Sequence, residues 1–206
     1  MDGYQNELQT AIAAVRQAAR VTQAVQKQIT DDVLEKQDRS PVTIADYASQ
    51  AVICHALKEA LPDDPIVGEE DAAELRGVDN AGFVNRILEE LAAIDVDTTA
   101  DEVCSWIDLG NGTGGSRFWT LDPIDGTKGF LRGQQYAISL ALIVDGELTV
   151  AVLGCPNLPL DPDDETSPGT LFFAVRGKGA FVFSVEDSDV SIAEAVRVHT
   201  GTAVDW

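Results

Sequence analysis

The chain has 206 residues, 45% of them hydrophobic, which is enough to bury one sizeable core and too apolar for a disordered polymer. Its formal charge of −21, from 35 acids against 14 bases, excludes nucleic-acid backbones and anionic membranes as partners. An anionic substrate would need bound cations to reverse the local field.

In residues 4–30, Leu8, Ile12, Val15, Ala19, Val25 and Ile29 recur at three- and four-residue steps, predicting a long amphipathic helix. That stretch holds no continuous apolar run, so neither a signal peptide nor a membrane span is expected, and the protein reads as cytoplasmic. Residues 30–41 are polar and read as an exposed loop, with Lys36 a surface lysine. Thr43-Ile44-Ala45-Asp46 has the form of a helix-capping box before a run containing Tyr47, Ala51, Cys54, Leu57 and Leu61, stopped by Pro62. Asp46 is therefore expected as a capping acid, which can still face a cleft.

Pro65-Ile66-Val67-Gly68-Glu69-Glu70-Asp71 is a short β-branched strand ending in a glycine and a cluster of acids. A helical pattern follows from Phe83 to Ile94, then an acidic stretch from Asp95 to Glu102. The glycine-rich run 110–115 lacks the lysine of a phosphate-binding loop and is read as flexible turn material.

The central stretch is Phe118-Trp119-Thr120-Leu121-Asp122-Pro123-Ile124-Asp125-Gly126-Thr127-Lys128-Gly129-Phe130, an apolar strand that ends on two carboxylates and a Gly-Thr pair. Burying two acids there is costly without a cation or several hydrogen bonds. Asp122 and Asp125 can offer oxygens to Mg²⁺, Pro123 stiffens the turn, and the Ile124 carbonyl is left free as a further ligand. Gly126 and Thr127 would present N–H groups to an anion, especially if a helix starts there. The order Gly126-Thr127-Lys128 is not that of a Walker loop, and the EF-hand alternation is missing. Beyond it, residues 136–144, 148–154, 170–175 and 180–183 are strand candidates, with Asp145-Gly146 and Gly177-Lys178-Gly179 as hairpin turns of an antiparallel sheet. The acidic, Pro-rich residues 159–168 read as a projecting loop, 185–194 as an acidic segment, and Val196-Arg197-Val198 as a last strand. Ending at Val204-Asp205-Trp206 without a capping element, the chain reads as an incomplete unit. Its three cysteines, odd in number and without C-x-x-C, are expected reduced and buried, and its two histidines, His55 and His199, have no metal-ligand spacing.

Three stretches, Ser40 to Asp46, Val67 to Glu70 and Trp119 to Arg132, resemble in order and spacing the Mg²⁺-dependent, lithium-sensitive phosphatases of the inositol monophosphatase superfamily. The run from Asp122 to Gly133 looks most like the branch that removes the 3′-phosphate of 3′-phosphoadenosine 5′-phosphate to give AMP; the inositol enzymes usually have Gly-Thr-Thr-Asn-Phe where this chain has Gly-Thr-Lys-Gly-Phe. The resemblance implies an α+β first lobe, long paired helices packed on an antiparallel sheet, spanning residues 1–206, with a second lobe and its Trp-Asp-x-Ala motif absent. It implies that Glu69, Asp122 and the Ile124 carbonyl bind a first Mg²⁺, that Asp122 and Asp125 hold a second, and that Glu69 and Asp46 lie near a third. Thr127, hydrogen-bonded to Asp46, would position the attacking water, with the N–H groups of Gly126 and Thr127 gripping the phosphate. Metal ions in such a site neutralise the ester and acidify the water, so no histidine is required. Two alternatives stand beside this reading: a catalytically inactive metal-binding or interaction module that self-associates through an apolar face left by the missing lobe, and an inositol-phosphate phosphatase.

Overall fold

The structure is a computed structural model that describes residues 3–29, 41–164, 166–186 and 195–198, with residues 41–43 and 78 described by their backbone alone. The loop containing Lys36, the acidic segment 187–194 and the terminal Asp205-Trp206 lie outside the described residues.

The N-terminal apolar stripe becomes α1 (Gln5–Gln26), with Leu8, Ile12, Val15, Ala19 and Val25 all buried. It packs against α2 (Pro41–Ala60) as the paired helices expected. α2 begins at Pro41, where the ring presets a helical φ and no backbone donor is wasted. Thr43-x-x-Asp46 is consequently no cap, because Asp46 lies within the second turn of a helix already under way. The capping box occurs elsewhere: the Glu102 N–H donates to Thr99 Oγ1 at 3.3 Å and the Thr99 N–H to Glu102 Oε2 at 2.9 Å. That box starts a helix within what reads in sequence as an acidic connection, so α3 (Ala81–Ala92) is followed by α4 (Ala100–Asp108).

The strands are β1 (Ile66–Val67), β2 (Arg117–Asp125), β3 (Ala137–Val144), β4 (Glu147–Pro159), β5 (Gly169–Val175), β6 (Gly179–Ser184) and β7 (Val196–Val198), with a short helix α5 (Thr127–Leu131) after β2. They form one sheet in the order of the chain. The pairs from β2 to β7 are antiparallel as expected, but β1 joins β2 in parallel, so the sheet is mixed. Asp145 (φ 52°) and Gly146 (φ 79°) turn β3 into β4 through the left-handed region that the Asp-Gly pair tolerates.

One face of the sheet is covered by α1 and α2, burying Ile138, Leu140, Leu142, Val150, Val152, Leu171 and Phe173. α1 lies so close to β4 that a Cβ on Gly154 would come within 2.7 Å of Val15. Tyr136 Oη donates to Thr22 Oγ1 at 2.8 Å, and Gln26 Nε2 donates to the Phe130 carbonyl at 2.9 Å, fixing the far end of α1 against α5 and β3. The opposite face, where the register aligns Ser139, Leu153, Phe172 and Val182 in one row, is only partly buried. Among the described residues, no helix is long and apolar enough to cross a membrane.

Cys54, Cys104 and Cys155 are free and buried. Burial pushes the Cys54 thiol up to about 12 and the Cys155 thiol to about 11, far from the thiolate that reacts with disulfides. Ellman's reagent at pH 8 is accordingly expected to leave the native chain unlabelled and to titrate three thiols once guanidinium unfolds it; fast labelling without denaturant would contradict this packing.

Candidate metal and phosphate site

Two strand ends bring the acids together. β1 runs beside β2 with Ile66 opposite Trp119 and Val67 opposite Thr120. Extending that parallel register two residues along each chain sets Glu69 beside Asp122, on the same side of both strands. Their carboxyl groups do meet. Burial, then the charges of Glu69 and Asp125, and a hydrogen bond with the Glu69 carboxyl raise the Asp122 carboxyl above its ordinary range. The Ile124 N–H, donating to Asp122 Oδ1 at 3.2 Å, opposes that rise in part.

α2 supplies the third wall. The Asp46 carboxyl is pushed up to about 8, first by burial and then by the charges of Glu70, Glu69 and Asp122. The helix also secures both strand ends: Ser49 Oγ donates to the Pro123 carbonyl at 3.2 Å, and the Tyr47 hydroxyl hydrogen-bonds the Glu70 carboxylate. Glu70 is raised by burial and by Glu69, against that bond from Tyr47.

The β2–β3 ladder is interrupted between Asp122, opposite Ser139, and Asp125, opposite Ala137. Two residues thus face one on β3, a bulge that lifts the Pro123-Ile124 backbone out of the ladder and re-aims the acids on either side. Gly126 then turns the chain with φ 94°, a left-handed conformation that any side chain would strain. α5 begins at Thr127, and the Gly126 carbonyl accepts from Gly129 and Phe130.

Of the residues singled out in the sequence, Asp46, Glu69 and Asp122 share one electrostatic neighbourhood, and the charge of Asp125 reaches it through Asp122. Thr127 and Asp125 are exposed at its mouth. Among the described residues, no hydrogen bond joins Thr127 to Asp46: Thr127 is exposed, whereas Asp46 is half-buried among the other acids. Nor do three of these acids already converge on one coordination point among the described residues, so the arrangement is one of neighbouring carboxylates and not a closed cage. Sequence reasoning passed over Glu70, the first of the charges acting on Asp46, along with Tyr47 and Ser49. Tyr47 and Ser49 follow Asp46 along one helix, and that adjacency was the available signal. The glycine-rich run is not loose either: the Gly68 N–H donates to the Gly110 carbonyl and the Gly112 N–H to the Ile66 carbonyl, both at 2.8 Å, pinning it to β1.

Every donor in this set is oxygen, and Asp46, Glu69, Glu70 and Asp122 repel one another. Hard divalent cations such as Mg²⁺ take that donor set, and a cation among the acids relieves the repulsion.

Residues 4–204 match the inositol monophosphatase family, and the chain belongs to it. It is 45% identical to a 3′(2′),5′-bisphosphate nucleotidase of Schizosaccharomyces pombe, across 95% of this chain and 60% of that protein. It is likewise 45% identical to 3′(2′),5′-bisphosphate nucleotidase 2 of Candida albicans (86% of this chain, 55% of that one) and 40% identical to 3′,5′-bisphosphate nucleotidase 2 of Arabidopsis thaliana (98% and 63%). The chain therefore spans 55–63% of the length of these relatives. In fold it is similar to CysQ of Bacteroides thetaiotaomicron, a bacterial member of the inositol monophosphatase family, with a TM-score of 0.56 at 22% identity over 98% of this chain and 61% of that one. A Thermotoga maritima IMPase gives a TM-score of 0.52 at 21% identity, over 86% and 51%.

The burial of Asp46, with the acids around it, has a measurable sign. In the folded chain its carboxyl holds a proton up to about 8, against 3.8 as the ordinary value, so it favours folding below about 4 and loses that contribution as pH rises towards 8. In EDTA, Asp46→Asn is expected to melt above the parent chain, with the gap in Tm widening between pH 5 and pH 8; a gap that stays flat, or a variant that melts lower throughout, would show that burial and the neighbouring acids do not raise the Asp46 carboxyl.

Proposed function

We propose that the protein containing this chain is a Mg²⁺-dependent phosphomonoester hydrolase that removes the 3′-phosphate of 3′-phosphoadenosine 5′-phosphate, and that this chain carries its metal- and phosphate-binding lobe. The observation behind the reading is the meeting of Glu69, Asp122 and Asp46 at the ends of two parallel strands and one helix. The nucleotide substrate is supported by relatives at 40–45% identity that are named bisphosphate nucleotidases.

Glu69, Asp122 and the Ile124 carbonyl are assigned to one Mg²⁺, Asp122 with Asp125 to a second, and Glu69 with Asp46 to the vicinity of a third. Bound Mg²⁺ supplies the positive charge that neutralises the phosphate and acidifies the attacking water. Thr127 orients that water through its Oγ1, and half-buried Asp46, which cations among the acids would return to the carboxylate form, takes up the proton by way of the threonine hydroxyl. This requires the Thr127 side chain to turn inward onto Asp46. The N–H groups of Gly126 and Thr127, at the turn between β2 and α5, bind the phosphate oxygens. Buried, unpaired thiols suit a reducing, cytoplasmic setting.

Phosphate release from 3′-phosphoadenosine 5′-phosphate and from inositol 1-phosphate, each with and without Mg²⁺ and Li⁺, tests the proposal. The nucleotide is expected to be hydrolysed faster, only with Mg²⁺, and less with Li⁺. Asp122→Asn and Thr127→Ala should each reduce the rate by on the order of 10²-fold or more. Preference for inositol 1-phosphate would overturn the substrate, and undiminished activity in both variants would overturn the site. A protein that binds Mg²⁺ but cleaves neither ester would be a binding module.

A further inference from the structure

Four residues beyond Asp46, on the same face of α2, a glutamine is completely buried. Its amide has two acceptor lone pairs and two donors, and all four are used. Gln50 Oε1 accepts from the N–H groups of Glu69 at 3.0 Å and Glu70 at 2.9 Å. Gln50 Nε2 donates to the carbonyls of Ile107 at 3.0 Å and Glu70 at 2.5 Å. The amide therefore joins α2, the acid-bearing turn after β1, and the end of α4.

Two glycines let it reach that far. A Cβ on Gly68 would lie 2.5 Å from Gln50 Oε1, and one on Gly110 would lie 2.6 Å from Nε2. The Gly68 N–H bonds the Gly110 carbonyl, closing the turn over the amide. Further along, the Ala72 N–H donates to Asp108 Oδ1 at 2.8 Å, so the turn is held on both sides of the acids.

We infer that Gln50 is a positioning residue for the metal site: its amide fixes the Glu69–Glu70 backbone at a set distance from Asp46, so that carboxylates from α2 and from the turn face the same space. This rests on the metal-site reading above. Completely buried and bonded only to backbone, Gln50 acts through the turn and not on the substrate itself. It holds two mutually repelling limbs in register through three neutral hydrogen bonds, and a fourth anchors the amide to α4. Glutamate in its place would set an acceptor against the Ile107 and Glu70 carbonyls, and leucine would fill the space and make none of the four bonds.

The test compares the parent chain with Gln50→Leu and Gln50→Glu by calorimetric titration with Mn²⁺ below each Tm, alongside Tm in EDTA and amide exchange of the parent chain. The Glu69 and Glu70 amides are expected to be protected in the parent, and Mn²⁺ affinity to fall at least about tenfold in both variants, the scale seen when groups supporting metal ligands are removed. A merely structural role predicts a lower Tm in EDTA with unchanged Mn²⁺ affinity in the folded variants, and that result overturns the inference alone. A parent chain that binds no Mn²⁺ overturns the metal site and the inference with it. Should neither variant fold, exchange decides: Glu69 and Glu70 amides that exchange as fast as an open loop rule the clamp out.

Discussion

Like charges at close quarters are the constraint that this fold has to meet. Glu69, Glu70 and Asp122 each add to the rise in the proton affinity of Asp46, and the four acids are carried by a helix, a turn and a strand that lie far apart in the chain. Left to themselves, limbs bearing such groups would separate until water screened them. The tie that prevents this is neutral. α2 reaches the two acid-bearing limbs through the Ser49 hydroxyl, the Tyr47 hydroxyl and the Gln50 amide, none of which adds to the negative charge. Neutral donors and acceptors bring carboxylates near each other without themselves competing for a cation.

The parallel pairing of β1 with β2 follows from the same requirement. An antiparallel neighbour would send its acids away from the end of β2 where Asp122 stands, whereas the parallel register advances both chains in step, from Val67 beside Thr120 towards Glu69 beside Asp122. A parallel neighbour needs a long crossover, and here α3 and α4 provide it. Asp64 reinforces this edge: its carboxylate accepts from Arg117 Nε at 2.6 Å and from Trp119 Nε1 at 3.1 Å, and Arg117 reaches Glu7 of α1 at 3.0 Å. The start of β2 is thus tied by charge-assisted bonds to the segment leading into β1 and to α1, while its other end carries the acids.

What the sequence made legible was local periodicity and turn chemistry. The stripe of α1, the Asp-Gly hairpin at 145–146 and the acids closing β2 each have a short-range cause, and each stands where its pattern places it. Two local readings failed for an equally local reason. Thr43-x-x-Asp46 and Thr99-x-x-Glu102 are alike on paper, but α2 is already under way from Pro41, two residues upstream of Thr43, whereas Thr99 stands just before α4. Non-local facts were out of reach. That β1 pairs in parallel, that Gly110 and Gly112 seat against β1, and that Gln50 turns its amide onto Glu69 depend on which elements become neighbours, and no window of sequence contains that. Within an apolar helical run, Gln50 reads as an ordinary helix former until the backbone that it bonds is brought beside it.

The cluster also bears on how stability and chemistry are divided along the chain. Core burial on the covered face of the sheet, from Leu140 through Val152 to Phe173, is apolar and serves folding. The acids sit at the rim of that core, where strands end and where a ladder interruption and a left-handed glycine already depart from regular structure. Placing the repulsion there limits its effect on the folded state to a few side chains held by short tethers. It also leaves that repulsion available to be relieved by a cation, so the groups that weaken the isolated fold are the ones a cation placed among them would stabilise.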